Sequence, residues 1–214
     1  MSSAIPLLLF AKAPIAGKVK TRLQTHCSPA QCAAIAQILL SESVKIIIED
    51  WPGKIYLSVW LDKEHTFIRT LCEQYGIELT GQSPGDLGAK MHHALESFGY
   101  PGAIIGADAP HMKPTELHRA HSLLLEGKSV VGVSQDGGYY FIGLSKSQPQ
   151  LFNDMPWGSA EVLPETLRRA RSLNLELTPL DPLRDVDEWQ DLLLAAKQLP
   201  ALAEYLQQQG LLGS

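Results

Sequence analysis

The sequence predicts a three-layer α/β protein with a mainly parallel mixed sheet. Short apolar runs rich in strand-forming residues alternate along the chain with longer segments whose apolar residues recur at helical spacing. This alternation is typical of βαβ units, in which helices cover both faces of a parallel sheet. No internal repeat, low-complexity segment or linker interrupts the 214 residues. Residues 1–214 are therefore expected to form one domain.

The predicted strands are short apolar runs bounded by turn residues. The first, at residues 7–10, breaks abruptly into a polar loop, and the fourth, at residues 103–107, ends in Asp108-Ala109-Pro110. The fifth and sixth are joined through Gln135-Asp136-Gly137-Gly138, which is suited to a hairpin or a wider connection. In order, the predicted strands lie at residues 7–10, 55–61, 77–80, 103–107, 129–134, 139–144 and 175–180.

The predicted helices have start and stop signals at their ends. Ser28 is followed by Pro29, which gives an N-cap and a proline at the first helical position. Asp62 is expected to cap the second helix, and Asp187 with Gln190 has the spacing of a capping box for the sixth. In order, the predicted helices lie at residues 29–49, 63–75, 87–98, 114–126, 164–173, 188–198 and 201–208.

The composition narrows the class of protein. With 45% hydrophobic and 19% charged residues it is typical of a soluble globular protein, and the net charge of -5 argues against a general nucleic-acid binder. Three cysteines without CxxC spacing indicate neither zinc nor a disulfide framework, and reduced thiols indicate the cytoplasm. The apolar stretch at residues 5–10 is too short to span a bilayer and lacks the basic region of a signal peptide, so no membrane span is expected.

A basic loop follows the first strand and is the first candidate binding site. Its cations and its glycine could hold a phosphate or pyrophosphate, although a solvated basic turn is the alternative. It is not a Walker A loop, because Lys12 and Val19 stand where that motif needs glycine and Ser or Thr. The candidate phosphate-binding residues are Lys12, Gly17, Lys18, Lys20, Thr21 and Arg22.

Acidic loops provide the candidate metal ligands and a catalytic group. Asp108 follows an apolar strand, where a carboxylate facing a diphosphate would bind Mg²⁺ or Mn²⁺; the alternative is a cap before Pro110. If Asp187 is an N-cap, Asp185 is left as a second metal or substrate ligand. Asp136 precedes two glycines and is the candidate group for orienting or deprotonating an acceptor hydroxyl. Trp157 could supply an apolar face for a sugar ring on the same side of the site, and the alternative is a buried core residue.

Several motifs, in this order and at these separations, resemble one family. They are FAKAPIAGKVKTRL, QSPGDLGAKM, GADAP, DGGYYFIGL, the Trp157-Gly158-Ser159 segment and DVDEWQDL. Together they look like the DUF2064 family of GT-A-like transferases, which is related to molybdenum-cofactor and 2-phospholactate guanylyltransferases and includes members called arsenosugar-type glycosyltransferases. The resemblance covers roughly residues 7–194.

The resemblance implies a GT-A, Rossmann-like nucleotide-diphospho-sugar transferase fold. It implies that the basic loop lies at the diphosphate, that Asp108 is the metal-binding acid and that Asp86, in QSPGDLGAKM, belongs to the nucleotide-binding residues. The sequence departs from the family pattern at Ala109, where Cys or Ser is frequent, and at Val133-Ser134, where Pro-Ala is frequent. These departures concern acceptor specificity more than fold or metal binding.

The leading functional hypothesis is a Mg²⁺- or Mn²⁺-dependent transferase that needs no organic cofactor. It would use a nucleotide-activated donor and a small acceptor, and the resemblance favours glycosyl transfer. Nucleotidyl transfer with release of pyrophosphate would use the same charges, so the residues themselves leave both reactions open. A third hypothesis is a nucleotide-sugar-binding protein without catalytic activity.

Overall fold

Seven strands form one mixed sheet in the computed structural model, which describes residues 4–108 and 110–212. The strands are β1 (Leu7–Lys12), β2 (Ile55–Trp60), β3 (Glu78–Gly81), β4 (Gly102–Gly106), β5 (Ser129–Ser134), β6 (Tyr139–Leu144) and β7 (Leu177–Leu183). Their order across the sheet is β3-β2-β1-β4-β6-β5-β7. Strand β6 runs antiparallel to β4 and β5, and all other neighbours are parallel. The predicted mainly parallel mixed sheet is confirmed.

The described residues also form seven α-helices and two short 3-10 helices, the latter at Thr21–Thr25 and Pro149–Leu151. The helices are α1 (Pro29–Asp50), α2 (Thr66–Tyr75), α3 (Leu87–Phe98), α4 (Pro114–Leu125), α5 (Val162–Ser172), α6 (Trp189–Ala196) and α7 (Pro200–Gln208). Helices α1, α2 and α4 share a core with one face of the sheet, whereas α3 and α5 pack with the other face. The result is the predicted three-layer arrangement.

Alternation along the central strands explains the two cores. Leu7 and Leu9 of β1 pack in the core beneath α1, while Leu8 and Phe10 pack in the core beneath α3. Successive side chains of a strand point to opposite faces, so a fully apolar strand is stable only when both faces are covered. A third core joins the start of α1 to α6 and α7.

Helix α1 is also long and apolar enough, by length and composition, to cross a membrane. In the protein 44% of its most apolar 18-residue window is buried, and Leu40, Val44 and Ile47 lie in the core against the sheet. Its N-terminus has the predicted Ser28 N-cap followed by Pro29, and Ser28 also forms a capping box with Gln31 through side-chain and backbone hydrogen bonds. The apolar character of α1 is thus accounted for by packing.

Some predicted element ends are wrong. Helix α2 has His65 rather than Asp62 at its N-cap, and Asp62 instead accepts a hydrogen bond from the Glu64 amide. Helix α6 is capped by Glu188, which forms a capping box with Asp191, so Asp187 is not the cap. Strand β7 continues past the predicted residue 180 despite two prolines, which an edge strand tolerates.

The parallel strands bring several loops to one edge of the sheet. Strand β1 pairs in parallel with β2 on one side and with β4 on the other, so the chain leaves the carboxyl ends of all three strands on the same side. Open α/β sheets bind ligands at this edge. The loop after β1 is the predicted basic loop, and the loop after β4 begins with Ala107 and Asp108.

Helix α3 packs closely against the segment before α5 at Gly88. A Cβ atom at residue 88 would lie 2.3 Å from the carbonyl oxygen of Phe152 and 2.9 Å from the Trp157 ring. We predict that Gly88→Ala lowers the free energy of unfolding by about 2 kcal/mol, because the backbone must move apart. Gly81→Ala is the control, since its Cβ would make an ordinary 3.6 Å contact with Lys63. Urea denaturation that gave equal stabilities for the two variants would contradict the prediction.

Candidate functional site

A cavity of about 630 Å³ lies at the carboxyl ends of β1, β2 and β4. Its wall contains all four basic residues predicted to bind phosphate, together with two carboxylates and two aromatic rings. We call it the donor cavity. Its charged, polar and aromatic lining includes Lys12, Lys18, Lys20, Thr21, Arg22, Trp60, Gln82, Lys90, Asp108 and Asp187.

Lys20 occupies the centre of the polar network in this cavity. Its side chain is only 6% exposed, and its ammonium group lies 2.5 Å from a carboxylate oxygen of Asp108 and 3.3 Å from one of Asp187. It also donates to the carbonyl oxygen of Val186 at 2.7 Å. Burial alone would lower the pKa of Lys20, but the two carboxylates outweigh burial and raise it. The lysine therefore stays charged and joins two acidic segments to the basic loop.

The backbone at Lys20 is strained. This residue has φ 46° and ψ 41°, in the left-handed region that residues with a side chain rarely adopt. The conformation costs on the order of 1 kcal/mol. The following 3-10 helix, Thr21–Thr25, places Arg22 against Asp187 at 3.4 Å.

A second cationic group, absent from the sequence interpretation, lies on α3. The Lys90 ammonium is 3.3 Å from the centroid of the Trp60 ring, within range of a cation–π contact. Burial, followed by repulsion from Lys12, lowers the pKa of Lys90. Two lysines that oppose each other's charge across a cavity favour an anion between them. Lys90 lies in the QSPGDLGAKM motif, but its contact with Trp60 could not be read from the sequence, because the two residues come together only through the fold.

Two predicted binding residues do not line the donor cavity. Gly17 adopts φ 78° and shapes the turn before Lys18. Asp86 caps α3, because its carboxylate accepts a hydrogen bond from the Ala89 amide at 2.8 Å. The assignment of Asp86 to the nucleotide-binding residues stays a prediction; in the structure its charge acts on Lys90, whose pKa it raises against the effects of burial and of Lys12.

A smaller cavity of about 180 Å³ adjoins the first, and we call it the inner cavity. Phe10, Leu87 and Gly106 line both cavities, so the two share a wall. Asp136 and Asp185 lie on the inner cavity, together with Trp157. The sequence prediction placed Asp136 and Trp157 side by side, and the structure brings them to one cavity.

The turn that carries Asp136 is held by a hydrogen bond within the turn and by close backbone packing at Gly137. Its carboxylate accepts a hydrogen bond from the Gly138 amide at 3.0 Å, and the side chain is exposed. Gly137 has φ 91°, and a Cβ atom there would lie 2.5 Å from the carbonyl oxygen of Ala160. Only glycine fits this close approach, which holds the turn against the segment before α5.

Asp185 is a partly buried carboxyl group beside other acids. Burial, together with repulsion from Asp108, Asp136 and Asp187, raises its pKa to about 7, although a 2.9 Å hydrogen bond from Ser134 opposes the rise. Ser134 is one of the residues at which the sequence departs from the family pattern. The other departure on this side of the sheet, Ala109, lies outside the described residues.

The donor set partly fits a hard divalent cation. Within residues 4–108 and 110–212, no group of three or more His, Cys, Asp or Glu residues is arranged to hold a metal ion. However, Asp108 and Asp187 already share one cation, the Lys20 ammonium. Mg²⁺ commonly binds through one or two carboxylates and completes its shell with water and substrate phosphate. Asp187, dismissed in the sequence as a helix cap, is therefore a candidate ligand beside Asp108, and Asp185 stays a predicted one.

Comparison with protein families gives one match. The model of the family described as "Uncharacterized protein conserved in bacteria (DUF2064)" matches residues 47–159, which is more than half of the chain. This stretch includes Asp108 and Asp136 but not the basic loop. No curated protein matches the chain.

Solved structures with the same fold include three informative ones. A candidate nucleotide-diphospho-sugar transferase from Desulfovibrio desulfuricans G20 is 23% identical, with a TM-score of 0.85 and 96% of each chain covered. A 4-diphosphocytidyl-2C-methyl-D-erythritol synthase from Anaerococcus prevotii DSM 20548 is 9% identical, with a TM-score of 0.62 and coverage of 92% of this chain and 96% of that one.

The third structure contains ligands. It is glucosyl-3-phosphoglycerate synthase from Mycobacterium tuberculosis in complex with Mn²⁺, uridine diphosphate and glucosyl-3-phosphoglycerate. It is 13% identical, with a TM-score of 0.51, and the alignment covers 100% of this chain and 82% of that one. These similarities confirm the predicted GT-A-like, nucleotide-diphospho-sugar transferase fold.

The raised pKa of Asp185 predicts a pH-dependent gain in stability for Asp185→Asn. Below about pH 4 the carboxyl group is protonated in both the folded and unfolded states, so it costs the wild type no stability. As the pH rises from about 4 to about 7, the group ionises more readily in the unfolded state, and the wild type loses stability relative to the variant. We predict that, with a metal chelator present, the variant's gain in unfolding free energy is roughly 2 kcal/mol larger at pH 8 than at pH 5. Equal gains at both pH values in urea denaturation would contradict this cost.

Proposed function

This chain belongs to the DUF2064 family, and on that premise we propose that it is a transferase that moves a glycosyl group from a nucleotide-activated sugar to a small acceptor. The observation that carries the proposal is the pair of adjoining cavities with opposite charge. The donor cavity gathers Lys12, Lys18 and Lys90, whereas carboxylates lie on the inner cavity. A nucleoside diphosphate fits the first, and an uncharged acceptor fits the second.

The basic residues support binding of the diphosphate. Lys18 and Arg22 are exposed side chains of the loop after β1, and Lys12 ends that strand. Charge-assisted hydrogen bonds from such groups to phosphate oxygens hold a nucleotide and stabilise the charge that develops on it as it leaves. The Trp60 ring adds an apolar surface in the same cavity.

Asp108 and Asp187 are the residues that would hold Mg²⁺ or Mn²⁺, with Asp185 as a further ligand. When bound, the metal would help to neutralise the departing diphosphate. The protein's own carboxylate at Asp136 would accept a hydrogen bond from the acceptor hydroxyl and orient it, and would take up its proton. The exposed position of Asp136 allows that proton to pass to solvent.

The charge of the inner cavity supports glycosyl transfer over nucleotidyl transfer to a phosphorylated acceptor. Such an acceptor would place phosphate charge beside Asp136 and Asp185, where like charges repel. The carboxylates on the inner cavity favour an acceptor without phosphate. Glycosyl transfer to a hydroxyl group meets this condition.

A thermal-shift experiment tests the proposed ligand class. Uridine, UDP, GDP and UDP-glucose would each be added to the protein with and without Mn²⁺, because a ligand that binds only the folded state raises Tm. The proposal expects at least one diphosphate to raise Tm more than the nucleoside does, with a larger rise when Mn²⁺ is present. If none of the nucleotides changes Tm in either condition, the proposed function is wrong.

Asp108→Asn tests the proposed metal role. We predict that the variant keeps its fold but loses the part of the nucleotide-induced Tm rise that depends on Mn²⁺, because an amide is a weaker ligand for a hard cation than a carboxylate. Asp181→Asn is the matched control, since Asp181 also pairs with a lysine, Lys113 at 3.1 Å, but does not line the donor cavity. An unchanged Mn²⁺ response in Asp108→Asn would remove Asp108 from the metal site.

Asp136→Asn tests the proposed acceptor role. Asparagine can keep the hydrogen bond from the Gly138 amide, so the turn should persist while the base is lost. We predict nearly normal nucleotide affinity and a fall in kcat of about 100-fold or more. The measurement is release of nucleoside diphosphate from the nucleotide-sugar with an acceptor present. Full turnover would leave Asp136 as a turn residue only.

A further inference from the structure

Two residues that line the inner cavity carry buried polar atoms that the protein does not pair. The hydroxyl oxygen of Tyr139 and Nε1 of Trp157 are both buried, and neither has a hydrogen-bond partner among the described residues. Both residues line the cavity, and their rings meet edge to face with centroids 6.3 Å apart. Buried polar atoms in folded proteins are nearly always paired, so these two point to a ligand atom.

The chemistry of the two atoms defines that partner. An indole Nε1–H can only donate a hydrogen bond, whereas a phenol hydroxyl can donate or accept one. Burial raises the pKa of Tyr139, so its hydroxyl keeps its proton and remains a donor at neutral pH. Both groups can therefore donate to an acceptor oxygen of a bound molecule.

The rest of the cavity limits the size and charge of the ligand. Phe10, Met91, Ile104, Ile142 and Val162 supply a hydrocarbon wall. An apolar cavity of about 150 Å³ in another protein holds benzene, and this one measures about 180 Å³, so it has room for one six-membered ring with a short substituent. A charged group inside would lose its hydration without an ionic partner.

The open side of the inner cavity has a different character. Asp136 is exposed there, and the partly buried Asp185 lies on the same cavity. These carboxylates repel an anion and can accept a hydrogen bond from a hydroxyl group. The wall shared with the donor cavity brings that hydroxyl group close to the site of the proposed donor.

We propose that the inner cavity binds an uncharged, ring-sized alcohol or phenol whose buried end carries an acceptor oxygen paired with Tyr139 and Trp157. Its hydroxyl group faces Asp136 and Asp185. That this molecule is the acceptor substrate rests on the proposed function, whereas its binding does not. Tyr139 and Trp157 are then the residues that determine specificity for the acceptor.

Two nearly isosteric probes test this class of ligand. 4-Hydroxyacetophenone has a ring, a hydroxyl group and a carbonyl oxygen, and 4-ethylphenol differs by lacking the carbonyl oxygen. Isothermal titration of the full chain measures the ratio of their affinities, which cancels general effects of a variant on the cavity. We expect the wild type to prefer the ketone, and we expect this preference to fall roughly fivefold in Tyr139→Phe and in Trp157→Phe.

Tyr140→Phe is the matched control. Tyr140 is the next residue of β6, but its hydroxyl already donates to the carbonyl oxygen of Asp181 at 3.0 Å. Its loss should leave the preference for the ketone unchanged and lower Tm. Loss of the unpaired hydroxyl in Tyr139→Phe should leave Tm unchanged or raise it, because no internal hydrogen bond is broken.

The outcomes separate this inference from the proposed function. The inference is overturned if the wild type and Tyr139→Phe prefer the ketone to the same degree, or if neither probe binds at millimolar concentration. Either result overturns it even if nucleotides still raise Tm. Tighter binding of the anion 4-hydroxybenzoate than of the ketone also overturns it. If the ketone preference depends on Tyr139 but no nucleotide binds, the ligand class stands and the proposed transferase function fails.

Discussion

The buried ammonium group of Lys20 holds together three segments that are far apart in the sequence. It pairs with Asp108 after β4 and with Asp187 before α6, while its own backbone belongs to the loop after β1. A backbone hydrogen bond from Val186 to Asp108 joins the same two acidic segments. An unpaired buried charge is costly, so the position of each segment depends on the others. The shape of the donor cavity follows from this one cluster.

Two neighbouring cavities divide the chemistry of the sheet edge by charge. Cations of the loop after β1 and of α3 outnumber the two carboxylates of the donor cavity, whereas the inner cavity has carboxylates of the β5–β6 turn and of the segment after β7. Gly106, the last residue of β4, has no side chain to separate the two spaces, and a Cβ atom there would approach only the carbonyl oxygen of Tyr140, at 3.8 Å. In the proposed reaction, this arrangement lets a leaving anion and an attacking hydroxyl group meet across one backbone strand.

Much of the fold could be predicted from the sequence, because apolar periodicity and local turn chemistry are properties of adjacent residues. The bounds of β5, β6 and α3 agree with the predicted residues 129–134, 139–144 and 87–98. The start of α6 could not be fixed in this way. Asp187 and Gln190 have capping-box spacing, but so do Glu188 and Asp191, and only the structure shows which pair forms it.

The site was less accessible to sequence reasoning, because its main contacts join distant residues. The pairing of Lys20 with Asp108 spans 88 residues, and its pairing with Asp187 spans 167. The sequence predicted that Lys20 would face a phosphate, whereas it pairs with carboxylates. It also linked Asp185 with Asp108, whereas Asp187 shares a cation with Asp108.

The ion pairs of Lys20 with Asp108 and Asp187 have a thermodynamic consequence. In the proposed site, a metal that took Asp108 and Asp187 would free the Lys20 ammonium for a phosphate, and a phosphate that took the ammonium would free the carboxylates for a metal. Since such coupling must be reciprocal, the two ligands would bind cooperatively, and a protein built in this way would respond to the metal–nucleotide complex more strongly than to either component alone.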